Sequence, residues 1–521
     1  MMMTSKLRVR LRAGLLLAAL AAAGFARTPQ RQQPPEYNEV VAASRIQDAA
    51  ARLKELERIK AAYPGAPMAQ TIDSFISAAK IELAPTLEAV LDLQKTELAS
   101  AVGARRLGTL FAAAFAVLEH PRLKAFDKAK VLSAVGRYGD DLNQAAIDPA
   151  TFNDVPAEQQ AAMKTYYVSG IKMALSKAHL NAGDPAKALA DLDAYGKLGG
   201  APGGDYLFAL GDAQEASGRT KDAYESFLGA AAENFEDSAA RAKALYAKIN
   251  GKADGFEAAL AARLKALPYH PGPFIAPAGW KGRTVLAELF TGSECPPCVG
   301  ADLGFDGLIE SIPAKYLTVL EYHLPIPRPD PMMNPATKKR QDYYGVNSTP
   351  TVVIDGDKKM IGGGGRGAAE GKYREYRTEI ERRLAEAPGV SLGVRAGLAG
   401  NIVKVDFDPG RSVPGAEVNV VLVQDEQSYK GSNGLGVHKL VVRDLAVVDP
   451  AVSRTTTFDL AASEKTTDAY LIEFEKTYTR VPNFKWAVRH NAIARQGLKV
   501  VLFVQDKETK KVLNSVSADV K

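Results

Sequence analysis

The chain of 521 residues is nearly free of cysteine, because it has only Cys295 and Cys298, separated by two residues. A chain of this length buries a hydrophobic core without disulfide staples, so general stability does not require the pair. A zinc site built on the pair would need two further ligands. No other cysteine exists, and none of the six histidines pairs with another at ligand spacing, so we expect neither a metal nor a cofactor.

Long apolar runs are missing after the first 26 residues. Four basic residues between Lys6 and Arg12 precede the apolar run Ala13–Phe25, which is too short to span a bilayer. This layout is typical of a secretory signal peptide, and no cysteine stands at the cleavage point to carry a lipid. We therefore predict a signal peptide over residues 1–26 and a periplasmic or secreted mature protein without a membrane span.

A strong imbalance of charge is also missing. The formal charge of +6 falls to +2 once residues 1–26, with four basic and no acidic side chains, are removed. No basic stripe interleaved with aromatic residues occurs, and Lys338–Arg340 is more typical of a solvated helix face. The glycines at 362–365 lack the strand, helix and lysine of a phosphate-binding loop. Neither nucleic acid nor nucleotide is predicted as a partner.

Residues 36–267 are rich in alanine, leucine, lysine and glutamate, with apolar residues recurring every three or four positions, which predicts an all-α region. Within it, AGDPAKALADLD and ASGRTKDAYESF align at an offset of 35 residues. The aligned pairs are Gly183 with Gly218, Ala188 with Ala223, and Leu192 with Phe227. A helix-turn-helix repeat needs a glycine in its turn and a small residue where its helices approach closely.

Over about residues 161–233 this pattern resembles tetratricopeptide repeats, and Gly211 fits the small position of the first helix. The resemblance implies a surface that binds a protein ligand. The consensus tryptophan, tyrosine and terminal proline are missing, and a plain helical bundle stays open as the alternative.

The proline-rich segment 268–280 cannot continue a helix and is interpreted as a domain boundary. Beyond it, TVLAELF at 284–290 predicts a buried strand, and the spacing of apolar residues from Cys298 predicts a helix. Further strands are predicted at Tyr316–Tyr322, Thr351–Gly356 and Lys359–Gly363, and a helix at about Ala368–Ala387. The two thiols are thus placed at a strand-to-helix turn.

This order of elements resembles the thioredoxin fold over residues 272–388, with Cys295-Pro296-Pro297-Cys298 after one strand and Thr349-Pro350 before another. LAELFTGSECPPC and RQDYYGVNSTPTVVIDG look like an exported branch of thioredoxin-like proteins. The resemblance implies an α/β domain in which Pro350 is cis and faces the disulfide, with Thr349 beside it toward the substrate. The sequence departs from the family at Glu294, where tryptophan is usual, and by an insertion, Leu324–Pro335.

Residues 389–521 alternate apolar and polar side chains, which predicts an all-β sandwich. VVLVQDE from Val420 resembles VVLFVQDK from Val500, and we interpret the two as strands from two halves of one sandwich. With its HKLVVR segment, the region is similar to the C-terminal β domain of some secreted outer-membrane thioredoxin-like proteins. The expected fold class is therefore multidomain: an all-α region, an α/β domain and an all-β sandwich.

The spacing of the two cysteines suits thiol–disulfide exchange. Cys295 lies at a helix N-terminus, which favours the nucleophilic thiolate, and Cys298 can resolve the mixed disulfide one helical turn away. Pro296 and Pro297 provide no N–H donors, and an ionised Glu294 would disfavour the thiolate further. We therefore expect a reducing or isomerising protein that acts on protein disulfides with an unidentified electron donor or acceptor.

Two less specific interpretations of this region stay open. One is a structural disulfide kept by a retired active site, which we consider the weaker interpretation because a disulfide across two residues adds little stability. The whole protein is then a non-catalytic envelope adaptor, with a thioredoxin-like scaffold between two partner-binding regions. His323 follows a predicted strand of the same domain and is interpreted as a structural hydrogen-bonding residue rather than a catalytic one.

Overall fold

The computed structural model describes residues 34–200, 202–481 and 483–521. The predicted signal peptide, residues 1–26, lies outside the described residues. Within the described part of the chain, no helix is both long enough and apolar enough to cross a bilayer. The chain forms two compact units: one takes most of the residues before Asn250, and the other takes Asn250–Lys521 with the short segments Pro202–Gly204 and Leu228–Phe235.

The N-terminal half is helical, as predicted. Its helices are α1 (Tyr37–Ser44), α2 (Ala49–Ala62), α3 (Ala69–Leu83), α4 (Leu87–Ser100), α5 (Ala104–Leu118), α6 (Lys128–Ile147), α7 (Ala157–Asn181), α8 (Pro185–Lys197), α9 (Gly204–Ala216), α10 (Thr220–Ala232), α11 (Ser238–Asn250) and α12 (Phe256–Lys265). Several begin at an aspartate whose side chain accepts a backbone N–H of the first turn, as Asp48, Asp127 and Asp184 do.

The aligned sequence stretches form two helix-turn-helix hairpins, α7–α8 and α9–α10. Their turns contain Gly183 and Gly218, which have positive φ angles of 85° and 74° that other L-residues rarely adopt. All four aligned helix positions are fully buried, and they are Ala188, Ala223, Leu192 and Phe227. A side chain at Gly211 would lie within 2.8 Å of the Phe227 ring, so the close approach of the second hairpin's helices requires glycine there.

The C-terminal half is rich in strands, which form two sheets. The strands are β1 (Val285–Thr291), β2 (Leu317–His323), β3 (Thr351–Ile354), β4 (Lys358–Ile361), β5 (Gly393–Ala399), β6 (Ile402–Asp408), β7 (Ala416–Ser428), β8 (Val437–Val448), β9 (Thr455–Asp459), β10 (Leu498–Asp506) and β11 (Val512–Asp519). The helices among them are α13 (Val299–Ser311), α14 (Pro335–Tyr344), α15 (Ala369–Leu384) and α16 (Leu460–Thr477).

One eight-stranded sheet has the order β11-β10-β7-β8-β2-β1-β3-β4, and a three-stranded sheet has the order β5-β6-β9. Strands β1 and β2 are parallel along their whole length, whereas β2 and β8 share a single parallel pair, Glu321 with Val441. The remaining pairs of the large sheet are antiparallel. The strands expected as an α/β domain therefore share one sheet with four of the strands expected as a sandwich, β7, β8, β10 and β11.

Alternating side chains of β1 fill two different cores. Ala287 and Leu289 pack with α13 and α15, on what we call the α13 face of the sheet. Leu286 and Phe290 pack with α14, on the α14 face, together with residues of β7 and β10. This alternation follows from the period of two in a strand, and it explains why β1 is apolar on both sides.

The structure agrees only in part with the sandwich predicted over residues 389–521. Val420 and Val500, expected in opposite halves, lie in β7 and β10, which pair directly within one sheet. The three-stranded sheet does pack on one side of these strands, through residues such as Val403 and Phe458. The similar sequences thus reflect neighbouring strands that are buried on both sides, an environment that favours the same apolar residues in each.

The region is also not all-β, because α16 follows β9. The segment TTTFDLA was expected to be a strand, but the strand ends at Asp459. The Asp459 side chain accepts the backbone N–H groups of Ala461 and Ala462, which caps the helix. The sequence after this cap, rich in alanine, glutamate and lysine, favours a helix.

Candidate functional site

The cysteine pair lies where β1 gives way to α13. After β1 the chain turns through residues 292–294, and Pro296–Cys298 form one 3-10 turn before α13 begins. The two prolines carry no N–H donor, so neither can continue the sheet. The N–H of Cys298 donates to the carbonyl oxygen of Cys295 at 3.0 Å. The two sulfurs are joined in a disulfide, with Cα atoms 5.3 Å apart.

Thr349 approaches the disulfide from the start of β3. Its hydroxyl lies 3.4 Å from Cys295 Sγ and 2.7 Å from the carbonyl oxygen of Ile326. Its own carbonyl oxygen lies 3.8 Å from Cys295 Sγ. The hydroxyl is thus a polar neighbour of the Cys295 sulfur, but its single proton has a nearer acceptor in the Ile326 carbonyl oxygen.

Pro350 lies on the same side of the site, and its peptide bond with Thr349 is cis. The backbone of Gly363 fits between Pro350 and Pro297: a Cβ there would come within 2.6 Å of the Pro350 ring and 2.1 Å of the Pro297 carbonyl oxygen. Neighbouring Gly364 donates its N–H to the Pro297 carbonyl oxygen at 2.7 Å. The four site residues predicted from the sequence thus come together from two separate segments, and a third segment, which contains Gly363 and Gly364, packs against both.

Both cysteines are fully buried, although Pro296 and Pro297 between them are exposed. A thiol must be reached by its substrate to react, so this burial bears directly on function. The burial of the two cysteines was not predicted from the sequence.

Two buried acids, Asp302 of α13 and Glu321 of β2, lie on the α13 face of the sheet. Asp302 follows Cys298 by four residues, so both project from one side of the helix. Its carboxylate accepts a hydrogen bond from the Thr291 hydroxyl at 2.6 Å, while its second oxygen has no hydrogen-bond partner. Burial raises the pKa of Asp302 to about 7. Burial, and then the nearby charge of Asp302, also raise the pKa of Glu321 well above its usual range.

Sequence reasoning missed Asp302, although a signal was present. Asp302 lies in the helical stretch VGADLGF, in which all the other residues are apolar or glycine. It follows the reactive Cys298 by one helical turn. An acid on the buried side of a helix is rare unless it is paired or functional. Among the described residues, neither Asp302 nor Glu321 takes part in an ion pair.

His323 lies at the end of β2 and is fully buried. Its Nδ1 is 2.9 Å from Asp330, a residue of the insertion, and Asp330 also accepts the N–H of Ser293 at 2.6 Å. Asp330 therefore connects His323 and the insertion to the turn before Cys295.

His438 of β8 is a second buried histidine at this place, with its ring 4.9 Å from that of His323. Burial, and then the proximity of His323, lower the pKa of His438 to about 3, so it is neutral at pH 7. The sequence spacing did not reveal that these two histidines are neighbours. Even so, no group of three or more metal-ligating side chains is assembled anywhere in the described residues.

Comparison with known proteins gave no match: no protein-family model fits the chain, and no curated protein and no solved structure is similar to it.

Proposed function

We propose that the protein is an exported thiol–disulfide oxidoreductase of the reductase or isomerase type that acts on protein disulfides. The observation that carries this proposal is the Cys295–Cys298 disulfide at the start of a helix, with the Thr349 hydroxyl 3.4 Å from the Cys295 sulfur. A disulfide that closes so short a loop adds little stability, so reactivity explains it better. In this proposal residues 272–388 are a thioredoxin-like domain, and Thr349 and Pro350 face the substrate.

In the reducing direction the dithiol form passes two electrons to a substrate disulfide. The Cys295 thiolate attacks one substrate sulfur, which forms a mixed disulfide and releases the other substrate sulfur as a thiolate. Cys298 then loses its proton and attacks Cys295 Sγ, which restores the Cys295–Cys298 disulfide and releases the second substrate thiolate. An external thiol reductant must return two electrons before the next cycle.

Asp302 is our candidate acceptor for the proton that Cys298 loses. It lies one helical turn after Cys298, and its pKa of about 7 allows the carboxyl to take up and release a proton near neutral pH. The Thr291 hydroxyl holds one carboxylate oxygen, which leaves the second oxygen for the proton.

The regions on either side are proposed to serve this activity by binding. The two helical hairpins are the candidate tetratricopeptide-like surface for a protein ligand, supported by their 35-residue offset and their glycine turns. Residues 389–521 are proposed to correspond to the C-terminal β domain of secreted outer-membrane thioredoxin-like proteins. The proposed location, periplasmic or secreted, depends on the signal peptide predicted over residues 1–26.

One observation favours the alternative, a non-catalytic adaptor with a retired redox site. Cys295 and Cys298 have no exposed surface, whereas an attacking thiolate needs access to its target. In an adaptor, the disulfide would persist as a closed structural element and the flanking regions would hold the partners.

Trapping of partners distinguishes the two functions. With Cys298→Ser the mixed disulfide has no resolving thiol, so covalent complexes with other proteins should accumulate in cells and dissolve under reductant. Cys295→Ser lacks the attacking sulfur and is the matched control, because it removes one thiol from the same turn. Equal trapping by the two variants, both folded and exported, would contradict the proposed roles and support the adaptor.

The reduction potential of the pair tests the direction of electron flow. We expect a value nearer about −270 mV, typical of thioredoxin, than about −120 mV, typical of a strong oxidant. The reason is that Pro296 and Pro297 offer no N–H to the Cys295 sulfur, which leaves its thiolate less stabilised. Equilibration of the full chain against glutathione measures the potential, and a value at the oxidising end would refute this reason.

A further inference from the structure

The loop between β7 and β8 covers the segment that leads into Cys295. Its tip, Lys430–Gly434, which we call the cap loop, lies directly on Ser293 and Glu294. The N–H of Asn433 donates to the Ser293 carbonyl oxygen at 3.0 Å. Gly431 packs so closely that a Cβ would come within 2.3 Å of that oxygen and 2.8 Å of the Glu294 carboxylate. Only glycine fits at this point of contact.

The Glu294 carboxylate holds the cap loop as well. It accepts a hydrogen bond from the Tyr429 hydroxyl at 3.2 Å and another from the N–H of Ser432 at 3.3 Å. The Asn433 side chain adds a contact of 3.4 Å to the Gly292 carbonyl oxygen. Glu294, which stands where thioredoxin-like proteins usually have tryptophan, therefore binds the cap loop.

Two other segments border the disulfide, and both are bound more firmly. The insertion is held by Asp330, which is buried and accepts the Ser293 N–H at 2.6 Å. The glycine segment, Gly362–Gly365, is held by short backbone hydrogen bonds, from Gly364 to Pro297 at 2.7 Å and from Gly300 to Gly364 at 2.8 Å. These contacts would have to break before either segment could uncover the sulfurs.

The cap loop, by contrast, is held by one backbone hydrogen bond of 3.0 Å and by longer contacts to a half-buried carboxylate. Lys430 and Ser432 are exposed, and Gly434 has a φ of 83°. Both ends of the loop are fixed, by the N–H of Tyr429 donating to the Gly436 carbonyl oxygen at 3.2 Å and by the buried Leu435 side chain. Segments with few buried contacts between fixed ends are the ones that open locally.

We infer that the cap loop is a gate that closes over the Cys295–Cys298 disulfide and must lift from Ser293 and Glu294 before the disulfide can react. This inference rests on the proposed function, since it concerns access to that same disulfide. It also reconciles full burial of the cysteines with exchange chemistry, because reaction is confined to the open form.

The rate at which excess dithiothreitol reduces the disulfide in the oxidised full-length protein tests the gate. Gly431→Val places a side chain against the Ser293 oxygen, so the loop cannot close, and we expect reduction about tenfold faster than in the wild type. Gly436→Ala is the matched control, because a Cβ there has nothing within 4 Å, and it should react at the wild-type rate. Quenching by alkylation and mass measurement gives the reduced fraction at each time.

Tyr429→Phe provides a second, milder variant that introduces no clash. It removes one hydrogen bond to Glu294 and should speed reduction roughly twofold to tenfold. Wild-type rates for both Gly431→Val and Tyr429→Phe, in folded protein, would overturn the gate. If Gly431→Val does not fold, the rate for Tyr429→Phe decides alone. Faster reduction in these variants supports the gate even if Cys298→Ser traps no partner, so the two proposals fail separately.

Discussion

Each face of the large sheet buries a carboxyl group, and the two groups differ in how many hydrogen-bond donors surround them. On the α14 face, Glu288 of β1 is fully buried and bound by the Arg340 guanidinium at 2.7 Å and by the hydroxyls of Tyr344 and Tyr322 at 2.6 and 3.0 Å. On the α13 face, Asp302 has only the Thr291 hydroxyl. Glu288 thus has a cation and two hydroxyl donors around it, whereas burial raises the pKa of Asp302 to about 7.

The contrast between Glu288 and Asp302 distinguishes a structural acid from one that can exchange a proton. A buried charge with a complete set of donors is inert, because every change in its protonation breaks several hydrogen bonds. A buried acid with an unsatisfied oxygen can change its protonation at lower cost, and Asp302, one helical turn after Cys298, is such an acid. The two faces can be tested separately by substitution.

The largest effect is expected on the α14 face. Arg340→Met leaves Glu288 buried without its cation, and we expect the free energy of unfolding to fall by about 3–5 kcal/mol. Denaturant titration measures this loss. The double variant Glu288→Gln/Arg340→Met should lose less than Arg340→Met alone, because it removes the uncompensated charge. A single-variant loss below about 1 kcal/mol would show that solvent reaches Glu288.

On the α13 face the expected effect of Asp302→Asn depends on pH. The folded pKa of about 7 exceeds the usual value of 3.8, so between these values the folded chain binds a proton that the unfolded chain has lost. The stability of the wild type therefore falls as pH rises through this window, by up to about 1.4 kcal/mol for each pH unit. Asp302→Asn cannot titrate at this position and should show a shallower decline than the wild type, because the raised pKa of Glu321, among other buried acids, still contributes to it.

Unfolding free energies at pH 5, 6, 7 and 8 check the prediction for Asp302. The acids Glu321, Asp306 and Asp330 and the base His323 act on the same carboxyl and are unchanged in the variant. Asp342→Asn, at an exposed carboxylate paired with Lys338, is the control and should follow the wild-type pH dependence. Parallel curves for the wild type and Asp302→Asn would mean that Asp302 is ionised throughout.

The smallest effect is expected when the single hydroxyl group that donates to Asp302 is removed. Thr291→Val removes the donor that favours ionised Asp302, so the pKa of Asp302 should rise further, by roughly half to one pH unit for a typical hydrogen bond. The midpoint of the stability decline with pH reports this shift. Thr318→Val is the matched control, because the Thr318 hydroxyl is buried on β2 without a hydrogen-bond partner. An equal shift in both variants would contradict the assignment.

The local elements around the site were predictable from sequence, and their non-local partners were not. The strand pattern at 284–290 and the helix after Cys298 match β1 and α13 within a residue or two, because each follows from its own periodicity. The helical hairpins were predictable for the same reason. The contact of Thr349 with Cys295 was expected only through the resemblance to thioredoxin, since no periodicity relates residues 54 positions apart.

The merging of the two predicted C-terminal regions into one sheet could not be foreseen. It depends on one parallel pair, Glu321 with Val441, and a strand sequence does not specify which edge it will join. For the same reason, the sequence did not reveal that His323 and His438 are neighbours, because they lie on the two strands that meet in this pairing. The contact of the cap loop with Glu294 could not be predicted either, because Glu294 and its partner Tyr429 are 135 residues apart in the sequence.

The sequence distance between Glu294 and Tyr429 has a consequence for the newly made protein. A chain is synthesised from its N-terminus at about 5–20 residues per second, so roughly 7–27 s pass between the appearance of the two partners. During this interval the cysteines exist without the loop that later binds Ser293 and Glu294 before them. With that loop as the gate inferred above, small-molecule oxidants and other thiols have their easiest access to Cys295 and Cys298 before synthesis is complete, and the oxidation state of the pair can be set at that stage.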